Sequence, residues 1–362
     1  MLIITQNLLN QLFFYMRPYH VLIAGLLCMA TPSIADNDFK PSVNIDLQTR
    51  VSYLNDRVDH QIRHDASGFK GDYFLFSVSG QLTDRLTYSW RQRINQKKNE
   101  NDRFDGTDWV YLDYKLSNHW NVAAGKQVAM VGGYEYDRCP IDIYVSSEFW
   151  NNIAPFQFGA SATYTTTNGK SRFTGQVTQS LFNTPANRDM LAYHLHWAGN
   201  YGWLNTLYSA NMIEYMPGKF ISYIALGNKF NAGNASLELD FMNRAASHQT
   251  YFFKDCSVMA RLDYRLIPHL GLYGKFTYDV NRTDTNADLC VLPGTEITAY
   301  GGGVEFFPTK GKPDVRVSLG VSHSAGTNSN PSGTLNDNHT TVRLAFIAKL
   351  HLLSWKSKSA YY

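Results

Sequence analysis

Strict alternation of apolar and polar residues, held in short segments from residue 43 to residue 352, is the feature that most limits what this chain can become. Residues 43–54 read VNIDLQTRVSYL, which places Val43, Ile45, Leu47 and Val51 on one face and Asn44, Asp46, Gln48 and Arg50 on the other. A period of two is the signature of a β-strand with two different environments. The pattern recurs in residues 69–82, 86–95, 107–116 and 120–130. It resumes in 157–166, 171–179, 191–198, 203–212, 220–230, 235–241, 257–266, 270–278, 296–307, 315–323 and 340–352. The reading predicts an all-β chain of about sixteen antiparallel strands, joined alternately by short turns and longer polar loops.

What the two faces meet is decided by composition. Aromatic residues make up 14% of the chain and charged residues 17%, against about 25% charged in an ordinary soluble domain. A soluble β-sandwich or propeller would also alternate, but it rarely joins so many aromatics to so few charges. After residue 35 no apolar run reaches the roughly 20 residues that a spanning helix needs. The expectation is therefore a transmembrane antiparallel β-barrel, with one face of each strand toward lipid and the other toward water. An even strand number leaves both termini on the short-turn, periplasmic side. The net charge of +3 is too mild to suggest nucleic acid.

Residues 16–35, MRPYHVLIAGLLCMATPSIA, combine a basic start, an apolar core and the small-residue site Ser33-Ile34-Ala35. They read as a secretory signal peptide cut before Asp36, with residues 1–15 as an upstream segment. Leu27 ahead of Cys28 disfavours lipidation. Residues 36–362 then form a single barrel domain. Its three cysteines, Cys139, Cys256 and Cys290, leave at least one thiol unpaired. A bridge between the loop residues Cys139 and Cys290, and three free thiols, both remain open.

One stretch breaks the rhythm. Residues 131–155, VGGYEYDRCPIDIYVSSEFWNNIAP, fall where a third long loop is due and carry Glu135, Asp137, Asp142 and Glu148 against the single base Arg138. Tyr134, Tyr136, Tyr144, Phe149 and Trp150 are interleaved, and so many aromatics are unusual on a solvated loop. The expectation is that this loop folds into the lumen and narrows it, with Tyr134, Glu135, Tyr136, Asp137, Arg138, Asp142 and Glu148 as constriction residues. On the inward faces the wall offers Arg50, Arg91, Arg93, Lys115, Arg172, Arg261, Arg265, Lys275, Arg316, Arg343 and Lys349. Inward acids are fewer, chiefly Asp46, Asp113, Glu238, Asp240, Asp263 and Glu305. A barrel of this size leaves an aqueous channel, and a surplus of wall base biases it toward anions. The other reading of these charges is cross-strand pairing that stiffens the wall.

GDYFLFSVSGQL at residues 71–82, DWVYLDYKL at 108–116 followed by NVAAGKQ at 121–127, and the closing LLSW at 352–355 resemble a Gram-negative outer-membrane porin, most nearly the phosphate-selective porin O and P family. The resemblance implies a sixteen-stranded barrel, a third loop in the lumen and basic residues guiding small anions or polar solutes. It also implies insertion into outer-membrane lipid by the barrel-assembly machinery, and assembly as a homotrimer. The acidic loop departs from a family pattern rich in Lys and Arg, and so argues against phosphate selectivity. The basic tail at 356–362 extends past the terminal aromatic at which the assembly signal of such barrels ends.

No cofactor, metal or catalytic residue is expected. His194 and His196 share a face, but the local sequence supplies too few further ligands for a metal, so they read as lumen-facing side chains. The alternative from another class is a plugged-lumen barrel acting as an outer-membrane lipase or protease, or as a surface-binding protein.

Overall fold

The computed structural model describes residues 39–95, 104, 106–247, 252–310 and 312–356. The leader read in residues 16–35, the upstream segment and the tail beyond residue 356 lie outside them. Seventeen strands among the described residues form one sheet: β1 (Ser42–Val58), β2 (Gln61–Ile62), β3 (Gly68–Gln81), β4 (Leu86–Arg93), β5 (Thr107–Lys115), β6 (Trp120–Val128), β7 (Phe156–Thr165), β8 (Ser171–Gln179), β9 (Leu191–Asn200), β10 (Leu204–Met216), β11 (Lys219–Ala232), β12 (Ala235–Ala246), β13 (Asp255–Ile267), β14 (Leu270–Asn281), β15 (Glu296–Phe306), β16 (Val315–Thr327) and β17 (His339–Lys356). β2 is a two-residue extension that pairs only with the end of β1, so the wall has sixteen strands, as expected.

Every strand runs antiparallel to its neighbours, and β1 pairs with both β3 and β17. The register runs from Ser42 opposite Lys356 to Val58 opposite His339, and this contact turns the sheet into a closed barrel. Closure leaves no edge strand, the condition for a sheet in lipid. No described helix is long and apolar enough to cross a membrane; crossing falls to the strands.

The alternation now has a direction. Val342, Leu344, Phe346 and Leu350 of β17 point out and are exposed, while Arg343, Ala345, Ile347 and Lys349 alternate with them and point in. Aromatic residues gather at both rims. Trp120 meets Tyr164, Phe173 meets Trp197 and Trp203 meets Phe230 near the short turns; Tyr53 meets Phe69 and Phe241 meets Phe253 near the long loops. Two such belts are what the two membrane interfaces select.

One connection differs from the sequence reading. Residues 213–219, expected as an outer loop, are strand up to Met216 and again from Lys219, joined by Pro217 and Gly218, where Gly218 adopts a φ of 74°. The extra strand exists because Ile213 and Ile221 face inward and are buried by material inside the barrel. The Gly301-Gly302-Gly303 run in β15 also has a packing role. A Cβ on Gly303 would lie 2.7 Å, and one on Gly320 of β16 2.0 Å, from the Tyr273 hydroxyl. The glycines clear a bed for Tyr273, whose ring meets Tyr144 of the third loop at 4.8 Å. Gly320→Val is expected to displace Tyr273 and cost about 1–3 kcal/mol. The check is the temperature at which the folded barrel loses its compact gel mobility, which should fall; an unchanged temperature would contradict the packing role.

Candidate functional site

The third loop leaves β6 at residue 129, rejoins β7 at 156, and carries α1 (Tyr134–Asp137), a 3-10 turn (Pro140–Asp142) and α2 (Glu148–Asn152). Each helix is too short to be stable alone, so the wall supplies what the loop lacks. Gly133 precedes α1 and offers no side-chain cap; instead, the Asp240 carboxylate of β12 accepts the N–H groups of Tyr134 and Glu135, both at 2.8 Å. Asp279 of β14 does the same for α2, accepting from Glu148 at 2.8 Å and Phe149 at 3.4 Å, while Ser147 caps Trp150 N–H at 3.1 Å. Carboxylates at helix N-termini satisfy otherwise orphaned donors. The backbone also approaches closely: a Cβ on Gly227 of β11 would lie 2.8 Å from the Gly133 Cα.

Charged groups complete the attachment. Glu135 bonds Lys275 Nζ at 2.9 Å and accepts Ser147 N–H at 2.7 Å. Asp142 bonds Lys349 at 2.7 Å and also pairs with Arg316, which in turn reaches Glu305 at 2.9 Å and the Tyr144 hydroxyl at 3.0 Å. Burial lifts the Asp142 carboxyl, but Arg316 and Lys349 together outweigh it and hold the group below the usual carboxylate range. Arg50 donates to the carbonyl of Ile143 at 2.6 Å and to Asp72 at 2.9 Å, and Arg343 donates to the carbonyl of Tyr144 at 3.2 Å. Arg138 of the loop pairs with Glu238, which also binds Lys229 at 2.9 Å.

Glu135 and Asp142 therefore touch wall bases directly instead of facing them across a gap. Asp137 is exposed, and Tyr134 sits 5.8 Å from Lys229 as a cation–π partner. Among the described residues Glu148 meets no base; Asn152 at 2.6 Å and Asn330 at 3.5 Å hold it, and burial pushes its carboxyl up. Tyr136 is buried with its hydroxyl on the Ala129 carbonyl.

Apolar packing fills part of the barrel interior. Val131, Tyr136, Phe149 and Ile153 of the third loop join Leu181 and Phe182 of the fourth, residues 180–190. Ala287, Cys290 and Val291 of the seventh, residues 282–295, complete the set over Ile213, Ile221, Tyr223, Met242 and Met259 of the wall. Behind them lies a fully buried Arg244, bonded to Asp255 at 2.9 Å, Asp288 at 2.6 Å and Ser257 at 2.8 Å, with Tyr223 also on Asp288 at 2.9 Å. The sequence reading held a plugged lumen only as its alternative and did not assign the fourth or seventh loop to it. The plug's signal was present: FISYIAL at residues 220–226 is apolar on both faces, which a purely water-lined strand would not be.

Open space remains on the other side of the third loop. A cavity of about 670 Å³ lies between the loop and the inner faces of β3 to β7, and a second of about 470 Å³ is lined by Arg50, Arg63, Lys70 and Arg343. The two share Tyr73, Trp150 and Asn151. A third, of about 450 Å³ near the short turns, shares Arg138 with the first. All eleven predicted wall bases occupy inward register positions. Lys275, Arg316 and Lys349 are spent on loop carboxylates, and Arg261 binds Asp263 at 2.8 Å. Arg91 and Arg93 share one carboxylate, Asp108, each at 2.7 Å through Nε. Arg172 and Lys115 are exposed, and Arg265 lies over Phe307 at 3.6 Å.

The predicted His194 is buried and inward, bonded to Thr178 at 3.1 Å and Asn211 at 2.9 Å. Cys139, Cys256 and Cys290 are free thiols. No group of three His, Cys, Asp or Glu side chains among the described residues is arranged to hold a metal.

Two substitutions test the attachment. Arg316→Ala leaves Asp142 short of a partner, at a cost of about 3–5 kcal/mol for a broken buried pair; the loop should then be cut by trypsin at Arg138 in outer-membrane vesicles while the parent resists. Arg244→Met strands Asp255 and Asp288 by the same mechanism, and should raise single-channel conductance as the seventh loop withdraws. Equal trypsin resistance, or an unchanged conductance, would contradict the respective role.

A family model described as phosphate-selective porin O and P matches residues 43–210. No curated protein sequence matches. Among solved structures, the outer-membrane expressed OmpT of Vibrio cholerae is similar at a TM-score of 0.59 and 13% identity, over 86% of this chain and 98% of that one. Its in-vitro folded trimer form is similar at 0.57 and 13%, over 86% and 99%. An anion-selective porin from Comamonas acidovorans is similar at 0.57 and 12%, over 85% and 98%. These structural likenesses share the closed antiparallel barrel. The family match runs along the first eight wall strands, and the closed barrel is shared over most of the chain, so that on both counts this chain resembles an outer-membrane porin of the phosphate-selective porin O and P kind.

Proposed function

We propose that this porin lets small ions and polar solutes diffuse passively across the outer membrane of a Gram-negative bacterium and prefers anions. The third loop acts as its constriction, through Tyr134, Glu135, Tyr136, Asp137, Arg138, Asp142 and Glu148. The observation that carries the preference is at the first cavity, where Arg91 and Arg93 face a single carboxylate, Asp108. Arg138 and Lys229 repeat the imbalance over Glu238. Because Lys275 neutralises Glu135, and Arg316 with Lys349 neutralises Asp142, two of the four loop acids seen in the sequence do not carry over to the open route. Fixed positive charge in a confined passage favours anion entry. A solved structure of the same fold is described as an anion-selective porin, which supports the same direction.

The reading includes no catalytic residue and no cofactor. Residues 16–35 serve as the export leader, residues 36–362 form one barrel domain delivered by the assembly machinery, and three copies associate, as in the trimer form of OmpT. The apolar plug over β9 to β13 favours a second reading, a closed barrel that binds at the cell surface or hydrolyses lipid or peptide there. Planar bilayers separate the two. Purified folded protein should give stepwise ohmic conductance, and a KCl gradient should give a reversal potential with the sign of chloride preference. Arg93→Gln should lower the chloride-to-potassium permeability ratio about two- to fivefold, the scale of one partly screened charge. Folded protein without conductance would overturn the channel reading, and a potassium-preferring potential would overturn the anion preference.

A further inference from the structure

Resting on the reading of an open, anion-preferring route, we infer that the cavity beneath Trp150 is a subsite for flat organic carboxylates, monoanions with an aromatic or similarly planar body, in preference to inorganic oxyanions.

The first argument is an unused side chain. Trp150, on α2, is half-buried and makes no ring or cation contact among the described residues, although the neighbouring loop aromatics do: Phe149 meets Tyr136 at 6.4 Å and Tyr223 at 6.0 Å. It lines both the 670 Å³ cavity and the 470 Å³ cavity, together with Tyr73 of β3. Solute moving from one to the other therefore passes an indole that makes no ring or cation contact with the protein among the described residues. An indole left over water forgoes the burial that large aromatics normally supply, whereas one that stacks on a passing planar solute recovers it.

The second argument is the form of the charge. Asp108 takes the Nε of both Arg91 and Arg93, and no hydrogen bond among the described residues takes up their terminal nitrogens. Asp108 thus orients two guanidiniums and leaves their forks to the cavity, the donor geometry that a carboxylate accepts in bidentate fashion. Two arginines against one aspartate leave one net positive charge at the forks, enough to hold a carboxylate, while Lys126 and Arg138 line the same cavity together with Asp137. Trp109 covers Arg91 at 3.6 Å and Phe156 lies 5.6 Å from both arginines, so apolar surface surrounds the guanidiniums. Hydrated phosphate gains nothing from such a surface, and the cavity volume lies in the range typical of small-molecule sites.

The experiment compares sodium benzoate, sodium acetate and inorganic phosphate as blockers of KCl conductance in single wild-type channels. Benzoate is expected to block saturably, with half-block at about one-tenth the concentration needed for acetate or phosphate, the worth of a good aromatic contact. In Trp150→Ala and Trp150→Leu the ratio of benzoate to acetate half-block is expected to collapse about fivefold or more. Reading that ratio within each protein cancels any change in basal conductance. Equal block by benzoate and acetate, stronger block by phosphate, or an unaltered ratio in the variants overturns the inference. If neither variant folds, the wild-type comparison decides it alone. Loss of KCl conductance, or a cation-preferring reversal potential, would instead sink the porin reading and this inference with it.

Discussion

No backbone N–H or C=O at bilayer depth can be left to lipid, and the pairing of β1 with β17 is how this chain meets that condition. Every other strand pair joins neighbours in sequence. Only this one joins residues about three hundred positions apart, Ser42 with Lys356 and Val58 with His339. Once it forms, the barrel has an inside of fixed width, and the remaining structure is an answer to how that inside is filled.

The filling is uneven, and the unevenness makes the site. Over β10 to β13 the inner face presents Ile213, Ile221, Tyr223, Met242 and Met259, on which three loops bury their own apolar residues. A smaller cluster of Leu75, Tyr273 and Ile347 seats Ile141 and Tyr144. Between these footholds, polar wall residues serve the loop backbone: Asp240 and Asp279 take helix N–H groups, and Arg50 and Arg343 take carbonyls. Loop and wall therefore act as one folded body. The open cavities lie on the opposite side, beside Tyr73, Arg91 and Arg93.

This arrangement changes the meaning of the charges. Buried ion pairs contribute little net stability but are costly to break, so Glu135 with Lys275, or Asp142 with Arg316, fixes position more than it sets a field. The charge that a solute meets is what remains after such pairing. On the proposed channel reading, the number of acids in the loop is thus a poor guide to selectivity, and the placement of Asp108 between two arginines a better one.

Much of the barrel was legible in the chain. Period-two alternation separates lipid-facing from inward residues because pleating sends neighbours to opposite faces, so Val342 and Arg343 could be assigned without coordinates. Gly and Asn at the turns, and the irregular 131–155 stretch, marked where strands end. Tertiary structure alone decided which inward charges are spent and which remain. Lys349 and Asp142 are 207 residues apart and Arg91 and Asp108 only 17, yet nothing local distinguishes a base that anchors a loop from one that faces the passage. The same holds for the plug: apolar inward residues declare that something covers them, but the covering loops are chosen by barrel closure, which sets the distances across the lumen.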